Sequence, residues 1–265
     1  MDALARSNVR VVGTPDGPPM VLAHGFGCDQ GMWRYVVPQF EATHRIVLFD
    51  HVGAGGSDAS AFDPVHHARL EGYASDVVDI LEALDLGPVT FVGHSVSAMI
   101  GVLAARARPD LVETLVLVSP SPRYIDDDGY RGGFSQDEID ELLETMDDNY
   151  LGWSAHIAPV IMGRPDRPEL GEELAASFCR MDPAIARHFA RTTFLSDNRA
   201  DLAGVTTPAL VVQCRQDAIA PTEVGAYVHE RLENSRLVVL DTVGHCPNLS
   251  APDQLVAAIA TFLAA

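Results

Sequence analysis

The sequence predicts an α/β fold in which a mainly parallel sheet is flanked by helices and carries a helical insertion. Short apolar runs alternate with helical segments, a pattern typical of strands buried on both faces of a parallel sheet. Between Pro120 and Asp201 the alternation stops and only helix signals remain. We therefore expect one domain of 265 residues, with a core of residues 1–120 and 201–265 and a helical cap over residues 121–200.

Six apolar runs are the candidates for buried strands. They are Met20 to Ala23, Ile46 to Phe49, Val89 to Val92, Leu115 to Val118, Ala209 to Val212 and Leu237 to Leu240. Asn8 to Val12 is a candidate edge strand. Because helical segments lie between consecutive runs, we expect right-handed crossovers that keep neighbouring strands parallel.

The insertion contains three local helix signals. Ser135 and Glu138 form a capping box, followed by an apolar stripe with helical spacing. The stripe consists of Ile139, Leu142, Leu143 and Met146. Pro168 opens a second helix, and Asp182 with Pro183 opens a third. Because the opposite face of the first helix is acidic, we expect its apolar stripe to be buried. The insertion is therefore predicted to pack over the sheet as a cap.

The composition excludes some classes of partner. The chain has 18 basic and 37 acidic residues and a net charge of -19, which opposes binding to nucleic acid or to anionic membranes. We find no signal-peptide pattern and no apolar run long enough for a membrane span, and therefore expect a cytoplasmic protein. Its four cysteines have no CxxC spacing, so buried thiols are expected rather than disulfides. No extra apolar stripe predicts an oligomer, and we expect a monomer.

The run from Val89 to Gly101 predicts a sharp turn between a strand and a helix. Gly93 and Ser97 flank the central Ser95, whose hydroxyl such a turn exposes above the sheet as a nucleophile. The usual motif has glycine where Ser97 stands, so the pattern is imperfect. The alternative is that Ser95 only caps the helix after a buried strand.

A serine nucleophile needs a base and a carboxylate that orients the base. Asp217 follows the run Ala209 to Val212, and His245 follows the last run, so the residues occur in the chain order Ser, Asp, His. Asp241 is nearer to His245 in sequence, but its position at a strand end favours a turn or capping role. We predict Ser95, His245 and Asp217 as the catalytic residues.

Hydrolysis also needs N–H groups that bind an oxyanion. His24 to Gly27 directly follows a predicted strand, and we predict the backbone N–H groups of Phe26 and Val96 as the donors. A plain turn is the alternative for this segment. Asp50 to Ser57 lacks the third glycine of a dinucleotide fingerprint and is interpreted as a loop near the pocket.

We predict no metal site and no cofactor. The sequence His229 to Glu233 lacks the second histidine of a zinc-binding HExxH motif, so we interpret it as the polar, solvent-facing side of a helix.

Several segments together resemble an α/β-hydrolase of a particular group. That group contains the RsbQ-type bacterial stress-signalling hydrolases and the plant strigolactone and karrikin receptors. The segments are Gly93 to Gly101, His24 to Gly27, Ser121 to Tyr124, Gly132 to Phe134, Asn149 to Trp153 and Ser196 to Arg199. The resemblance covers nearly the whole chain, and Ser97 in place of glycine is usual within the group.

The resemblance implies a four-helix cap over an apolar pocket and slow hydrolysis of small hydrophobic esters or butenolide-type lactones. It also implies a PAS-containing PP2C phosphatase as partner in stress signalling, so that ligand capture rather than turnover is the alternative function. We expect these residues to line the pocket: Phe26, Tyr124, Phe134, Trp153, Phe178, Phe189, Phe194 and Ile219. For each aromatic residue taken alone, ordinary packing in the core is the alternative.

Ser95 at the predicted strand-to-helix turn argues against dehalogenases and epoxide hydrolases of this fold, which use a carboxylate at that position. Lyase and carbon–carbon hydrolase chemistry stay open, because the same triad supports them.

Overall fold

A computed structural model describes residues 2–265 and contains a seven-stranded sheet. The strands are β1 Arg10–Gly13, β2 Pro19–Ala23, β3 Arg45–Leu48, β4 Val89–His94, β5 Val112–Val118, β6 Ala209–Gln216 and β7 Ser235–Val243. Their spatial order is β1-β3-β2-β4-β5-β6-β7. All pairs are parallel except β1 with β3, so the predicted parallel sheet is confirmed and its edge strand is antiparallel.

Eleven α-helices are present among residues 2–265. They are α1 Ala3–Arg6, α2 Val37–Phe40, α3 Leu70–Leu84, α4 Val96–Ala107, α5 Gln136–Asp148, α6 Tyr150–Met162, α7 Pro168–Phe178, α8 Pro183–Phe194, α9 Thr222–Arg231, α10 Pro247–Ser250 and α11 Pro252–Leu263. Helix α4 packs on β4 and β5, and α9 and α11 pack on β6 and β7. Because both faces of the central strands are covered, every residue of β4 is buried.

Four helices, α5 to α8, connect β5 to β6, and we call this connection the cap. The capping box of α5 is present as predicted, with the Ser135 hydroxyl accepting from the Glu138 N–H and the Glu138 carboxylate accepting from the Ser135 N–H. Helix α6 was not predicted from local signals, since Pro159 lies within it and its N-cap is Asn149. The Asn149 side chain accepts from the Gly152 N–H, which satisfies a free donor at the helix start.

The cysteines and the helix lengths bear on two further predictions. All four cysteines are free thiols, but Cys179 is exposed, which corrects the expectation that all are buried. It follows α7 as the C-cap residue, where the chain turns at the cap surface. No helix within residues 2–265 is long and apolar enough to cross a membrane.

Candidate active site

Ser95 occupies the tight turn between β4 and α4. Its backbone has φ 57° and ψ −124°, a conformation that L-residues rarely adopt. A Cβ on Gly93 would lie 2.2 Å from the Ser97 carbonyl oxygen, so only glycine fits before the turn. The turn is held to the sheet by the Ser95 N–H, which donates to the Val118 carbonyl at 2.8 Å. The strand-to-helix turn therefore fixes the direction of the Ser95 hydroxyl.

Three side chains form one hydrogen-bonded chain at this turn. Nε2 of His245 lies 2.8 Å from Ser95 Oγ, and Nδ1 of His245 lies 2.7 Å from Asp217 Oδ2. The carboxylate can only accept, so Nδ1 carries the proton and Nε2 presents its lone pair to the serine hydroxyl. This tautomer allows His245 to take the Ser95 proton when the oxygen attacks a carbonyl carbon.

Backbone N–H groups hold the Asp217 carboxylate so that one of its oxygens faces His245. Its Oδ1 accepts from the N–H groups of Ile219 at 2.8 Å and Ala220 at 3.1 Å, which leaves Oδ2 for His245. Its side chain has 0% exposure. Asp241 instead points to solvent and pairs with Arg215, with an exposed side-chain fraction of 82%. The geometry therefore brings Asp217, and not Asp241, to the histidine.

The backbone of His245 is held from two sides. Its carbonyl accepts from His94 Nε2 at 2.8 Å, and its N–H donates to the Ile161 carbonyl of α6 at 2.8 Å. Burial, together with the nearby His245, lowers the pKa of His94 to about 3, so His94 is a neutral donor. The sheet and the cap thus both position the histidine.

The two N–H groups predicted to bind an oxyanion flank this chain. Val96 is the first residue of α4 and Phe26 lies in the turn after β2. Within residues 2–265 neither N–H donates a hydrogen bond to a protein group. Gly27, at φ +73°, completes the turn, and a Cβ there would lie 1.7 Å from a ring carbon of Phe178. A cap side chain therefore presses directly on this turn.

A narrow cavity of about 30 Å³ lies beside Ser95 and His245. Besides those two residues it is lined by Phe26, Cys28, His94, Tyr124, Ile161, Leu174, Phe178, Thr193, Phe194, Ile219 and Cys246. Five of the eight predicted pocket residues are in this set. The cavity lies between the sheet edge and the cap, and most of its wall is apolar.

Three predicted pocket residues do not line the cavity. The rings of Trp153 and Phe189 lie behind Phe26, with centroids 6.3 Å and 5.6 Å from its ring centroid. Phe134 belongs to a loop whose backbone pairs with Tyr124, so its position is set by chain pairing. Trp153 and Phe189 therefore pack against the wall residue Phe26 without lining the cavity themselves.

The matches to known proteins extend over both the core and the cap. The model of the alpha/beta hydrolase family matches residues 20–258. The chain belongs to the α/β-hydrolase family. A hydrolase from Oleispira antarctica superposes with a TM-score of 0.96 at 40% identity, covering 99% of this chain and 96% of that one.

Two plant relatives of this α/β-hydrolase are similar over most of their length. A karrikin insensitive 2 receptor of Petunia hybrida is 42% identical, covering 94% of this chain and 92% of the relative. A strigolactone esterase of Arabidopsis thaliana is 40% identical, covering 94% of this chain and 92% of the relative. The similarity to the plant strigolactone and karrikin proteins is thereby confirmed.

Two hydroxyl groups in the cavity wall have no protein partner. The Tyr124 hydroxyl and Thr193 Oγ1 are buried, and neither forms a hydrogen bond of normal geometry within the described chain, although the Tyr124 hydroxyl lies close to that of Ser95. Burial raises the pKa of Tyr124 to about 12, so it stays protonated at neutral pH and can donate to a bound molecule. Because an unpaired buried hydroxyl is costly, these groups are suited to a polar atom of a ligand.

Two thiols, those of Cys28 and Cys246, also line the cavity. Burial raises the pKa of Cys28 to about 12 and that of Cys246 further above its usual value. Both thiols are therefore protonated at neutral pH, and the thiolate needed for attack is scarce.

Sequence reasoning did not single out several cavity residues of this α/β-hydrolase. Among them are Thr193, Ile161 and Leu174, which reach the cavity from three different cap helices. Only the angle at which each helix crosses the sheet selects the residue that faces Ser95, and no local pattern reports that angle.

One cluster away from this site has the ligand types of a metal centre. Candidate ligand atoms of His66, His67 and Asp76 lie within 4.8 Å of one another. However, the Arg6 guanidinium also contacts Asp76 at 3.1 Å, and both imidazoles point at the same carboxylate. The carboxylate is thus already paired with a cation, which favours a structural ion-pair network over a metal site.

Proposed function

We propose that this α/β-hydrolase cleaves small hydrophobic carboxylic esters or butenolide-type lactones, with Ser95 as nucleophile. The observation that carries the proposal is the continuous hydrogen-bonded chain of Ser95, His245 and Asp217 at the end of an apolar cavity. The strigolactone esterase among its relatives supports the choice of an ester or lactone substrate.

In the proposed reaction Ser95 Oγ attacks the carbonyl carbon while its proton passes to His245 Nε2. Asp217 holds the imidazole and stabilises the positive charge that develops on it. The backbone N–H groups of Phe26 and Val96 bind the oxyanion of the tetrahedral intermediate. His245 then returns the proton to the leaving alcohol oxygen, and the C–O bond breaks. Water cleaves the resulting acyl-serine by the same steps.

The crowded cavity wall supports slow turnover. Phe26, Phe178 and Phe194 surround the narrow space beside Ser95, so we expect these side chains to shift when a ring-containing ester binds. Metabolic hydrolases typically turn over at roughly 1 to 1000 per second, and we expect this protein to lie below that range.

The second candidate function is capture of a small ligand as a signal. It is favoured by the relative named as a karrikin insensitive 2 receptor. In this case the acylated or ligand-filled site alters the cap surface for a partner, and hydrolysis is secondary. A PAS-containing PP2C phosphatase, a role in stress signalling and a cytoplasmic location stay predictions from the sequence.

Burst kinetics separate these functions. Wild type and Ser95→Ala would be mixed rapidly with p-nitrophenyl acetate and with a synthetic butenolide, and labelled in parallel with a fluorophosphonate. We expect a burst and labelling that both require Ser95. A Ser95-dependent burst with very slow turnover supports ligand capture, whereas sustained rapid turnover supports a metabolic esterase. Labelling or a burst that persists in Ser95→Ala would refute the assignment.

A further inference from the structure

A buried polar network connects the Ser95 turn to the turn that contains Phe26. Ser97 Oγ lies 2.5 Å from the His24 carbonyl oxygen and 2.7 Å from His51 Nε2. The His51 N–H donates to His24 Nε2 at 3.0 Å, and His24 Nδ1 lies 2.8 Å from the Gly25 carbonyl oxygen. Ser97 and His24 have 0% exposure and His51 has 2%. The network is therefore shielded from bulk solvent.

The hydrogen atoms of this network can be placed in one way only. The His51 amide is a donor, so His24 Nε2 accepts and the neutral ring carries its proton on Nδ1, toward Gly25. The carbonyl of His24 can only accept, so it takes the Ser97 proton, and His51 Nε2–H donates to Ser97 Oγ. Burial lowers the pKa of His24 and of His51, which keeps both rings neutral at pH 7. The Ser97 hydroxyl, both nitrogens of His24 and Nε2 of His51 thus each have a partner.

The network ends on the peptide group that carries one of the proposed oxyanion donors. The carbonyl of Gly25 and the N–H of Phe26 belong to the same planar trans peptide, so they point in opposite directions. The Gly25 oxygen accepts from His24 Nδ1 at 2.8 Å and more weakly from the Cys28 N–H at 3.3 Å, and holding this oxygen aims the Phe26 N–H. At the other end, Ser97 is the neighbour of Val96, which carries the second proposed donor. The hydroxyl of Ser97 links the two segments across the site.

We propose that Ser97 and His51 are positioning residues, which act through His24 to fix the Phe26 N–H relative to the Val96 N–H. This inference rests on the proposed function, because an aimed N–H matters only if an oxyanion forms there. It also explains why serine suits the position where the usual motif has glycine: the side chain supplies the hydroxyl that connects the two turns.

The test compares variants in which the network is cut at two different residues. Ser97→Ala removes the hydroxyl, and His51→Phe keeps an aromatic ring but removes the Nε2–H donor. Ser97→Thr keeps a hydroxyl and serves as the rescue variant. Ser154→Ala is the matched control, since that buried serine also donates to a carbonyl, of Tyr150 at 2.8 Å, but lies in α6 outside the cavity wall.

Two quantities report the oxyanion donors. The first is the acylation rate constant in the p-nitrophenyl acetate burst, per fluorophosphonate-reactive site. The second is inhibition by phenylboronic acid, in which Ser95 Oγ bonds to boron, its proton passes to His245, and a tetrahedral anion forms. We expect Ser97→Ala and His51→Phe to lower the acylation rate and to weaken boronate inhibition by roughly 10- to 100-fold, somewhat less than deleting a donor, with KM within about threefold. Ser97→Thr should recover most of both, and Ser154→Ala should match wild type.

The proposal is overturned if Ser97→Ala and His51→Phe match Ser154→Ala, if the loss appears in KM alone, or if boronate inhibition is unchanged. Thermal unfolding of each variant shows whether it is folded, and if Ser97→Ala does not fold, His51→Phe decides the question. A burst that persists in Ser95→Ala refutes the proposed function itself. A Ser95-dependent burst that is indifferent to Ser97 refutes only the positioning role.

Discussion

The two walls of the cavity are built by different forces. The wall formed by the sheet edge carries Ser95, His245 and the Phe26 turn, and hydrogen bonds of 2.5 to 3.0 Å fix its groups. The cap wall consists mainly of packed side chains such as Phe178 and Leu174, and it holds His245 through the backbone hydrogen bond to the Ile161 carbonyl. Only two unpaired hydroxyls, those of Tyr124 and Thr193, interrupt the apolar surface on the cap side.

This difference separates chemistry from selectivity. Hydrogen bonds depend steeply on distance and angle, so the sheet wall holds reacting groups in one geometry. Apolar packing tolerates changes of shape at constant volume, so the cap wall can differ between relatives without loss of the reaction. Changes on the sheet wall should therefore reduce the rate, whereas changes on the cap wall should alter which molecule binds.

The largest effect on the rate is expected when Asp217, which holds His245, loses its negative charge. Asp217→Asn keeps the shape of the side chain but can donate to His245 Nδ1, which would put the imidazole in the wrong tautomer. We expect kcat for p-nitrophenyl acetate to fall by about 10⁴-fold, with a small change in KM. Asp241→Asn is the control, and should be indistinguishable from wild type. Equal effects of the two substitutions would contradict the placement of Asp217.

The second effect concerns stability against acid. Burial lowers the pKa of His24, His51 and His94 in the folded protein from the usual 6.5. The unfolded chain then binds protons below pH 6.5 that the folded protein does not, so this contribution to stability is complete above that pH and is lost as the pH falls. For His94, whose folded pKa is about 3, the unfolding free energy should fall by up to about 1.4 kcal/mol per pH unit below pH 6.5.

Urea unfolding at pH 7, 6 and 5 measures this slope. His94→Asn should reduce the slope by the share of one histidine, while His156→Asn, on the exposed surface of α6, should leave it unchanged. If both substitutions left the wild-type slope intact, His94 would have to be charged in the folded protein.

The smallest effect is expected on the cap wall. Thr193→Val removes an unpaired hydroxyl, so we expect the unfolding free energy to rise by about 1 kcal/mol. For a butenolide, whose ring oxygens can accept from that hydroxyl, KM should rise roughly 10-fold with kcat little changed. For p-nitrophenyl acetate KM should stay close to wild type.

The neighbouring Thr192 provides the matched control. Its hydroxyl donates to the His67 carbonyl at 3.0 Å, so Thr192→Val should destabilise the protein and leave KM for both substrates unchanged. A larger effect on kcat than on KM in Thr193→Val would contradict the separation of the two walls.

Much of the fold could be predicted from local patterns. Five of the six predicted buried strands are buried, because parallel strands covered on both faces are continuous apolar runs, and α5 was found from its capping box. The prediction was wrong for Leu237 to Leu240, since β7 is an edge strand in which only Leu240 of that run is buried. Helix α6 gave no such signal, since its N-cap is an asparagine and a proline lies in its interior. Its position is stabilised by packing against α7 and α5, which no local pattern reports.

The site divides in the same way. Ser95, His245 and Asp217 could be proposed from motif, loop position and chain order, because strand ends bring their loops to one edge of the sheet. His51 was interpreted as part of an ordinary loop, since a single histidine after a strand has no characteristic spacing. Phe134, Trp153 and Phe189 were expected in the cavity wall because large aromatic residues often line pockets, yet all three lie outside it.

The sequence by itself determined the parallel sheet, the sharp turn at Ser95 and the order of the reacting residues, because strand burial, turn sterics and loop position all have local signatures. Only the tertiary structure decided which cap side chains reach the cavity and which groups Ser97 joins. Those outcomes depend on the relative placement of segments far apart in the chain, where a shift of about 1 Å is enough to make or break a hydrogen bond.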